Sequence, residues 1–200
     1  MGVAKMNKLF IGTNLKMYKT ASQTVDYLTK LEELTKTIDM SEMELFVIPS
    51  YTSLESAAKC LKAKSIKLGA QNMCWEDQGQ FTGEVSPLML NELNIDIIEI
   101  GHSERRHVFG ETDAEINKKV LAALKHGFTA LLCIGETEEQ KRYGVSDECL
   151  RMQLKTGLYG VMEKETDRLW VAYEPVWAIG VNGIPASPEY ADSKQAVIKS

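Results

Sequence analysis

Six short runs of Ile, Val, Leu and Phe recur along this chain, each followed by a longer segment with helical spacing. That alternation limits the possible folds more than any other feature. The runs fall at residues 8–13 (KLFIGT), 44–48 (ELFVI), 66–70 (IKLGA), 96–100 (DIIEI), 128–134 (FTALLCI) and 169–173 (LWVAY). Most lack strict apolar–polar alternation, as expected of strands covered on both faces of a parallel sheet. Val25, Leu28, Leu31 and Leu34 predict a helix over 22–37. Ile116, Val120, Ala123 and Leu124 predict another over 113–126, with Thr112 and Asp113 as caps and Gly127 as the stop. Strand starts 22 to 41 residues apart are the spacing of βα units, so the chain reads as α/β with six such units. No Pro/Ser-rich linker and no composition shift divides it, which implies a single domain over 1–200.

Two architectures share this pattern, a doubly wound open sheet and a closed eight-stranded barrel. A dinucleotide-binding sheet would carry a glycine fingerprint after its first strand. Here that position reads Gly12-Thr13-Asn14-Leu15-Lys16, which lacks it.

Charge and composition remove other classes. With 23 Lys and Arg against 28 Asp and Glu, the net charge is −5. An acidic surface argues against non-specific nucleic-acid or anionic-membrane binding and leaves room for a local basic pocket. No apolar run approaches the roughly 20 residues of a membrane span. Residues 1–8 lack a signal-peptide pattern, so a cytoplasmic protein is expected. Cys60, Cys74, Cys133 and Cys149 form neither a CxxC pair nor a metal-ligand spacing with His, and read as reduced thiols.

In parallel α/β folds the chemistry gathers at the carboxyl ends of the strands, where loops vary without disturbing the core. Those ends carry Asn14 and Lys16, Gln71 and Asn72, the run from Gly101 to Arg106, Cys133 and Glu136, and Glu174-Pro175. Taken singly, each has a plain explanation. Lys16 can snorkel to water, Glu174 can close a surface strand, His102 can be a satisfied rim histidine, and Cys133 can act as a small hydrophobe. His107 and His126 read as structural, His126 because a cation suits a helix C-terminus. Jointly, a Lys, a His, a Glu and several amides at one end of a sheet suit proton abstraction next to a carbonyl. Glu would take the proton, and a neutral His with Lys would stabilise the developing oxyanion. A small phosphorylated metabolite fits such a positive pocket in an acidic protein.

Six segments are similar in order to the triosephosphate isomerase family. They are Asn14-Leu15-Lys16, Ala70-Gln71-Asn72, Phe81-Thr82-Gly83-Glu84, Glu99 to Arg106 (EIGHSERR), Cys133 to Thr137 (CIGET) and Tyr173 to Gly180 (YEPVWAIG), within about residues 8–190. The resemblance implies a TIM (β/α)8 barrel and an intramolecular oxidoreductase of the aldose–ketose phosphate isomerase type, serving glycolysis and gluconeogenesis. It implies Glu174 as the base, His102 as the neutral electrophile and Lys16 as the positive charge on the substrate. Asn14 and the Gly180 backbone would contact substrate. Glu104, which would hold Lys16 by a salt bridge, and Ser103 and Cys133 would have supporting roles. Residues from Pro175 to about Gly183 would form a lid that excludes water from an enediolate. No metal or organic cofactor is implied. The loop from Gln71 to Ser86 would dock on a second subunit, giving a homodimer.

Two departures bear on substrate. Where relatives read close to Thr-Gly-Lys-Thr-Ala-Thr, this chain has Val181-Asn182-Gly183-Ile184-Pro185-Ala186-Ser187, and Leu15 stands where many carry Trp. The resemblance therefore implies dihydroxyacetone phosphate and glyceraldehyde 3-phosphate as substrates. Two alternatives stay open, a four-carbon ketose phosphate such as erythrulose 1-phosphate and a non-catalytic sugar-phosphate-binding paralogue. An eightfold barrel takes about 250 residues. Six units in 200 residues therefore imply a chain truncated at its C-terminus, with strands seven and eight and their phosphate-gripping loops beyond it.

Overall fold

The computed structural model describes residues 8–61, 66–180 and 183–200. Residues 1–7, read above for a leader pattern, and Val181 and Asn182 of the departing lid segment lie outside the described residues. The chain packs as two compact units. One holds the described residues up to Met73 together with Asp77–Ile98, and the other holds Cys74–Glu76 and Glu99–Ser200.

In the first unit, strands β1 (Leu9–Asn14), β2 (Met43–Ile48) and β3 (Ile66–Ala70) alternate with helices α1 (Ala21–Thr35) and α2 (Tyr51–Cys60). Helix α3 (Pro87–Glu92) then leads into β4 (Ile97–Ile100). All pairings are parallel: Leu9 faces Met43, Leu45 faces Ile66, and Gly69 faces Ile97. Thr20 starts α1 with a capping box that uses Gln23. The helix ends at Thr35, not at 37. Leu28 is fully buried while Leu34 is 64% exposed. Steps of three residues drift backwards around a helix of 3.6 residues per turn, so the fourth leucine-type position leaves the buried face.

In the second unit, β4 is followed by α4 (Ser103–Val108), α5 (Asp113–Lys125), β5 (Thr129–Ile134), α6 (Glu138–Arg142), α7 (Ser146–Gly157), β6 (Leu169–Tyr173) and α8 (Pro188–Lys199). Strands β5 and β6 pair in parallel from Ala130–Leu169 to Ile134–Tyr173. Thr112 caps α5 as expected, in a capping box with Glu115. His126 lies one residue past the helix as its C-cap, and the chain leaves through Gly127. Ile116, Leu124 and Leu132 are almost fully buried, each contributing about 1.5–3 kcal/mol of burial. The Arg106 guanidinium reaches the carbonyls of Gly101 (2.6 Å) and Cys133 (3.1 Å) and the Asp113 carboxylate. It thereby fixes the ends of β4 and β5 against the start of α5.

The expected α/β class with six parallel strands is what the chain forms, and each strand boundary lies within one residue of its apolar run. Coverage on both faces holds for β4, buried throughout, and for most of β5. It fails for β1, where Leu9, Phe10 and Ile11 are 53%, 45% and 45% exposed, and for half-exposed β6. Among the described strands these two are the terminal ones, each paired on one side only.

Candidate active site

Asn14, Lys16 and Gln71 come together in the first unit. Lys16 follows β1 with a positive φ of 49°, a left-handed conformation that costs a non-glycine residue about 1–2 kcal/mol. Hydrogen bonds on both sides of the residue hold it there. Its N–H donates to Asn14 Oδ1 (2.6 Å), and its carbonyl accepts from Gln71 Nε2 (2.9 Å). The same amide reaches Asn14 Oδ1 and the Ile48 carbonyl, so Gln71 ties the ends of β1, β2 and β3. Backbone strain held in this way is typical of a residue whose position matters.

The second unit brings His102, Glu104 and Glu174 together. His102 is the N-cap of α4 and its side chain is only 6% exposed. The Glu104 N–H donates to His102 Nδ1 (3.2 Å), so in the neutral ring the proton sits on Nε2. Nε2 points towards Glu174, with Oε2 of the carboxylate 3.6 Å away. That Oε2 is buried and accepts no hydrogen bond among the described residues, although the side chain as a whole is 45% exposed. The Glu104 carboxylate lies 3.6 Å from Nδ1 on the other side of the ring. Ser103, Arg106 and Cys133 line a small cavity with Gly101, Gly135 and Glu174. Burial, reinforced by the charges of Glu99 and Glu174, pushes the Cys133 thiol well above the ordinary range and keeps it a neutral wall.

Glu174 is positioned by its neighbours in chain and space. Its N–H donates to the Ile134 carbonyl (2.9 Å), continuing the β5–β6 ladder by one residue. A Cβ on Gly135 would lie 1.9 Å from the Glu174 carbonyl oxygen, so only glycine permits this approach. Beyond Glu174, a 3-10 turn over Val176–Ala178 is anchored by the Val176 N–H on the Glu136 carbonyl (3.0 Å). Gly180 is exposed with φ 85°, and its carbonyl accepts from the Gly183 N–H (3.1 Å). Gly183 packs against the same turn, where a Cβ would meet the Ala178 oxygen at 2.4 Å.

Sequence reasoning placed Glu136 at the end of β5 and gave it no role. In the structure it accepts from three side-chain donors among the described residues. It is fully buried and accepts from Tyr173 Oη (3.1 Å), Trp177 Nε1 (2.9 Å) and Tyr190 Oη (2.7 Å). Two of these donors flank Glu174 in the chain. Burial, with the Glu136 charge beside it, pushes the Tyr173 phenol far up, so it stays a donor at any physiological pH. A carboxylate after an apolar strand, with aromatic residues on both sides of a later Glu, is a signal that could have suggested the contact.

No group of three or more His, Cys, Asp or Glu is arranged to hold a metal among the described residues. No helix among them is long and apolar enough to cross a membrane.

A family profile described as triosephosphate isomerase matches residues 9–200. The L-erythrulose-1-phosphate isomerase of Rhizobium etli is 46% identical over 187 residues, covering 93% of this chain and 70% of that protein. The enzyme of the same name from Rhizobium meliloti is 45% identical over 192 residues, 95% of this chain and 74% of that protein. The triosephosphate isomerase of Clostridium tetani is 44% identical over 199 residues, 100% of this chain and 76% of that protein. The expected family and the TIM-barrel class, here as six βα units, are thereby established. The chain belongs to the triosephosphate isomerase family and is an isomerase of a phosphorylated sugar.

Proposed function

We propose that this isomerase acts on a four-carbon ketose phosphate of the L-erythrulose 1-phosphate type, using Glu174 as base and His102 as electrophile. The observation that carries the chemistry is the bare Glu174 Oε2 beside the Nε2 side of His102, at 3.6 Å. Glu174 takes the proton from the hydroxyl-bearing carbon next to the carbonyl. Nε2–H of the neutral imidazole donates to the carbonyl oxygen as negative charge develops there, giving an enediolate. The hydroxyl proton on the neighbouring carbon passes to the former carbonyl oxygen, the proton held by Glu174 goes to the former carbonyl carbon, and the double bond to oxygen re-forms on the neighbour. Because Nδ1 is occupied by the Glu104 N–H, the imidazole acts through Nε2.

Lys16, with Asn14 beside it, supplies positive charge to the phosphorylated substrate, and the Gly180 backbone contacts the phosphate. Ser103 and Cys133 shape the wall around Glu174. The segment from Pro175 to about Gly183 closes over the site and excludes water. The protein works as a homodimer docked through the loop from Gln71 to Ser86, in which Phe81 is 40% exposed.

The four-carbon choice has two supports. Several relatives at 45–46% identity carry the L-erythrulose-1-phosphate isomerase name, and the segment 181–187 departs from the usual lid sequence. A triose phosphate substrate is the second reading, favoured by the Clostridium tetani relative, matched over the whole chain. Turnover of L-erythrulose 1-phosphate and dihydroxyacetone phosphate by one preparation decides between them. A kcat/KM higher for the four-carbon substrate supports the proposal, one higher for the triose replaces it, and no turnover of either refutes both.

A further inference from the structure

Trp177 is the middle residue of the turn just beyond Glu174, and its indole is held by more than Glu136. The Lys141 ammonium on α6 lies 3.3 Å from the centre of the Trp177 ring. The Tyr190 ring on α8 meets the same indole edge-on, with centroids 5.4 Å apart and planes at 77°. Lys141 also lies 4.9 Å from the Tyr190 ring centre. Tyr190 Oη donates to the Glu136 oxygen that accepts Trp177 Nε1–H, and it lies 3.2 Å from Ser146 Oγ. A cation over an aromatic face and an edge-to-face ring pair are both directional. The indole is therefore fixed in its rotation as well as its position.

We propose that Lys141 and Tyr190 are positioning residues for the reaction: they clamp the Trp177 indole and so hold the turn that carries Glu174 in register with His102. The proposal rests on the assignment of Glu174 as base. Neither residue touches substrate. Their effect passes through Trp177 and Glu136, whose other donor is Tyr173, the residue immediately before the base. The turn is thus held from both sides, by Tyr173 through Glu136 and by Trp177 through the clamp. The contact between the Lys141 ammonium and the Trp177 ring face depends on the cation, so charge at position 141 matters as well as bulk.

Three variants test this in the intact protein: Lys141→Met keeps the length and removes the charge, Lys141→Arg keeps the charge, and Tyr190→Phe keeps the ring and removes the donor. On the better of the two ketose phosphates, Lys141→Met and Tyr190→Phe are each expected to lower kcat about three- to tenfold. KM should change less than twofold, and Lys141→Arg should restore kcat to within twofold. The Trp177 indole N–H resonance, assigned by its loss in Trp177→Phe, should shift in both loss variants and return in Lys141→Arg. Unchanged kcat with an unmoved resonance overturns the clamp, as does a loss that Arg fails to restore. If the wild type turns over neither substrate, the functional assignment falls. The resonance then judges the clamp alone: a shift in both loss variants that Arg reverses supports it, and an unmoved resonance overturns it.

Discussion

The Nε2 atom of His102 stands 3.6 Å from Oε2 of Glu174, and that carboxylate oxygen is buried without a hydrogen-bond donor among the described residues. Burying an unsatisfied carboxylate oxygen costs stability, commonly about 1–3 kcal/mol. Its retention makes chemical sense if the oxygen is kept open for a substrate proton. Glu174→Gln removes the basicity and keeps the shape. We predict a fall in kcat of roughly 10²–10⁴-fold with an unchanged far-UV circular dichroism spectrum. Loss of less than tenfold would show that Glu174 is not the base.

The Glu104 N–H on His102 Nδ1 fixes a tautomer that can be observed directly. In protein labelled with ¹⁵N-histidine, His102 should show a protonated Nε2 and an unprotonated Nδ1 at neutral pH. A doubly protonated ring would remove the neutral electrophile from the mechanism.

Gly135 has no room for a side chain, because a Cβ would lie 1.9 Å from the Glu174 carbonyl oxygen. Gly135→Ala must push the strand end that leads into Glu174 aside. We expect about 3 kcal/mol of destabilisation in denaturant titration, together with a loss of kcat. Gly144→Ala is the control. Nothing lies within 4 Å of its Cβ position, and its φ of 75° costs about 1–2 kcal/mol.

Glu44 on β2 gives a pH signature. Burial raises its pKa, but Lys67 and Lys8, each 2.8 Å away, together outweigh burial and bring it below the ordinary 4.5. A depressed native pKa stabilises the fold above the unfolded value and ceases to do so as pH falls through the native one. Glu44→Gln should therefore cost of order 0.5–1 kcal/mol at pH 7. That difference should shrink only below about pH 4.5. A gap that widened in acid would reverse the assigned sign.

Elements with a local signal were legible in the sequence. The cap at Thr112 and the six strands needed only neighbouring residues to be recognised. So did the grouping of His102, Glu104 and Glu174 at strand ends, because parallel strands deliver their carboxyl ends to one side. The buried hub at Glu136 was not legible. Its partners Tyr173, Trp177 and Tyr190 are 37, 41 and 54 residues away in the chain, and no periodicity couples positions so separated. The strain at Lys16 is likewise invisible without Gln71, 55 residues on.

A four-carbon ketose phosphate is the proposed substrate, with Glu174 as its base and His102 as its electrophile. The most direct test is the ratio of kcat/KM for L-erythrulose 1-phosphate to that for dihydroxyacetone phosphate, measured on one preparation with Glu174→Gln as the blank. A ratio above one, with both activities abolished in the blank, is the expected result. A ratio below one, or activity that survives in Glu174→Gln, would contradict it.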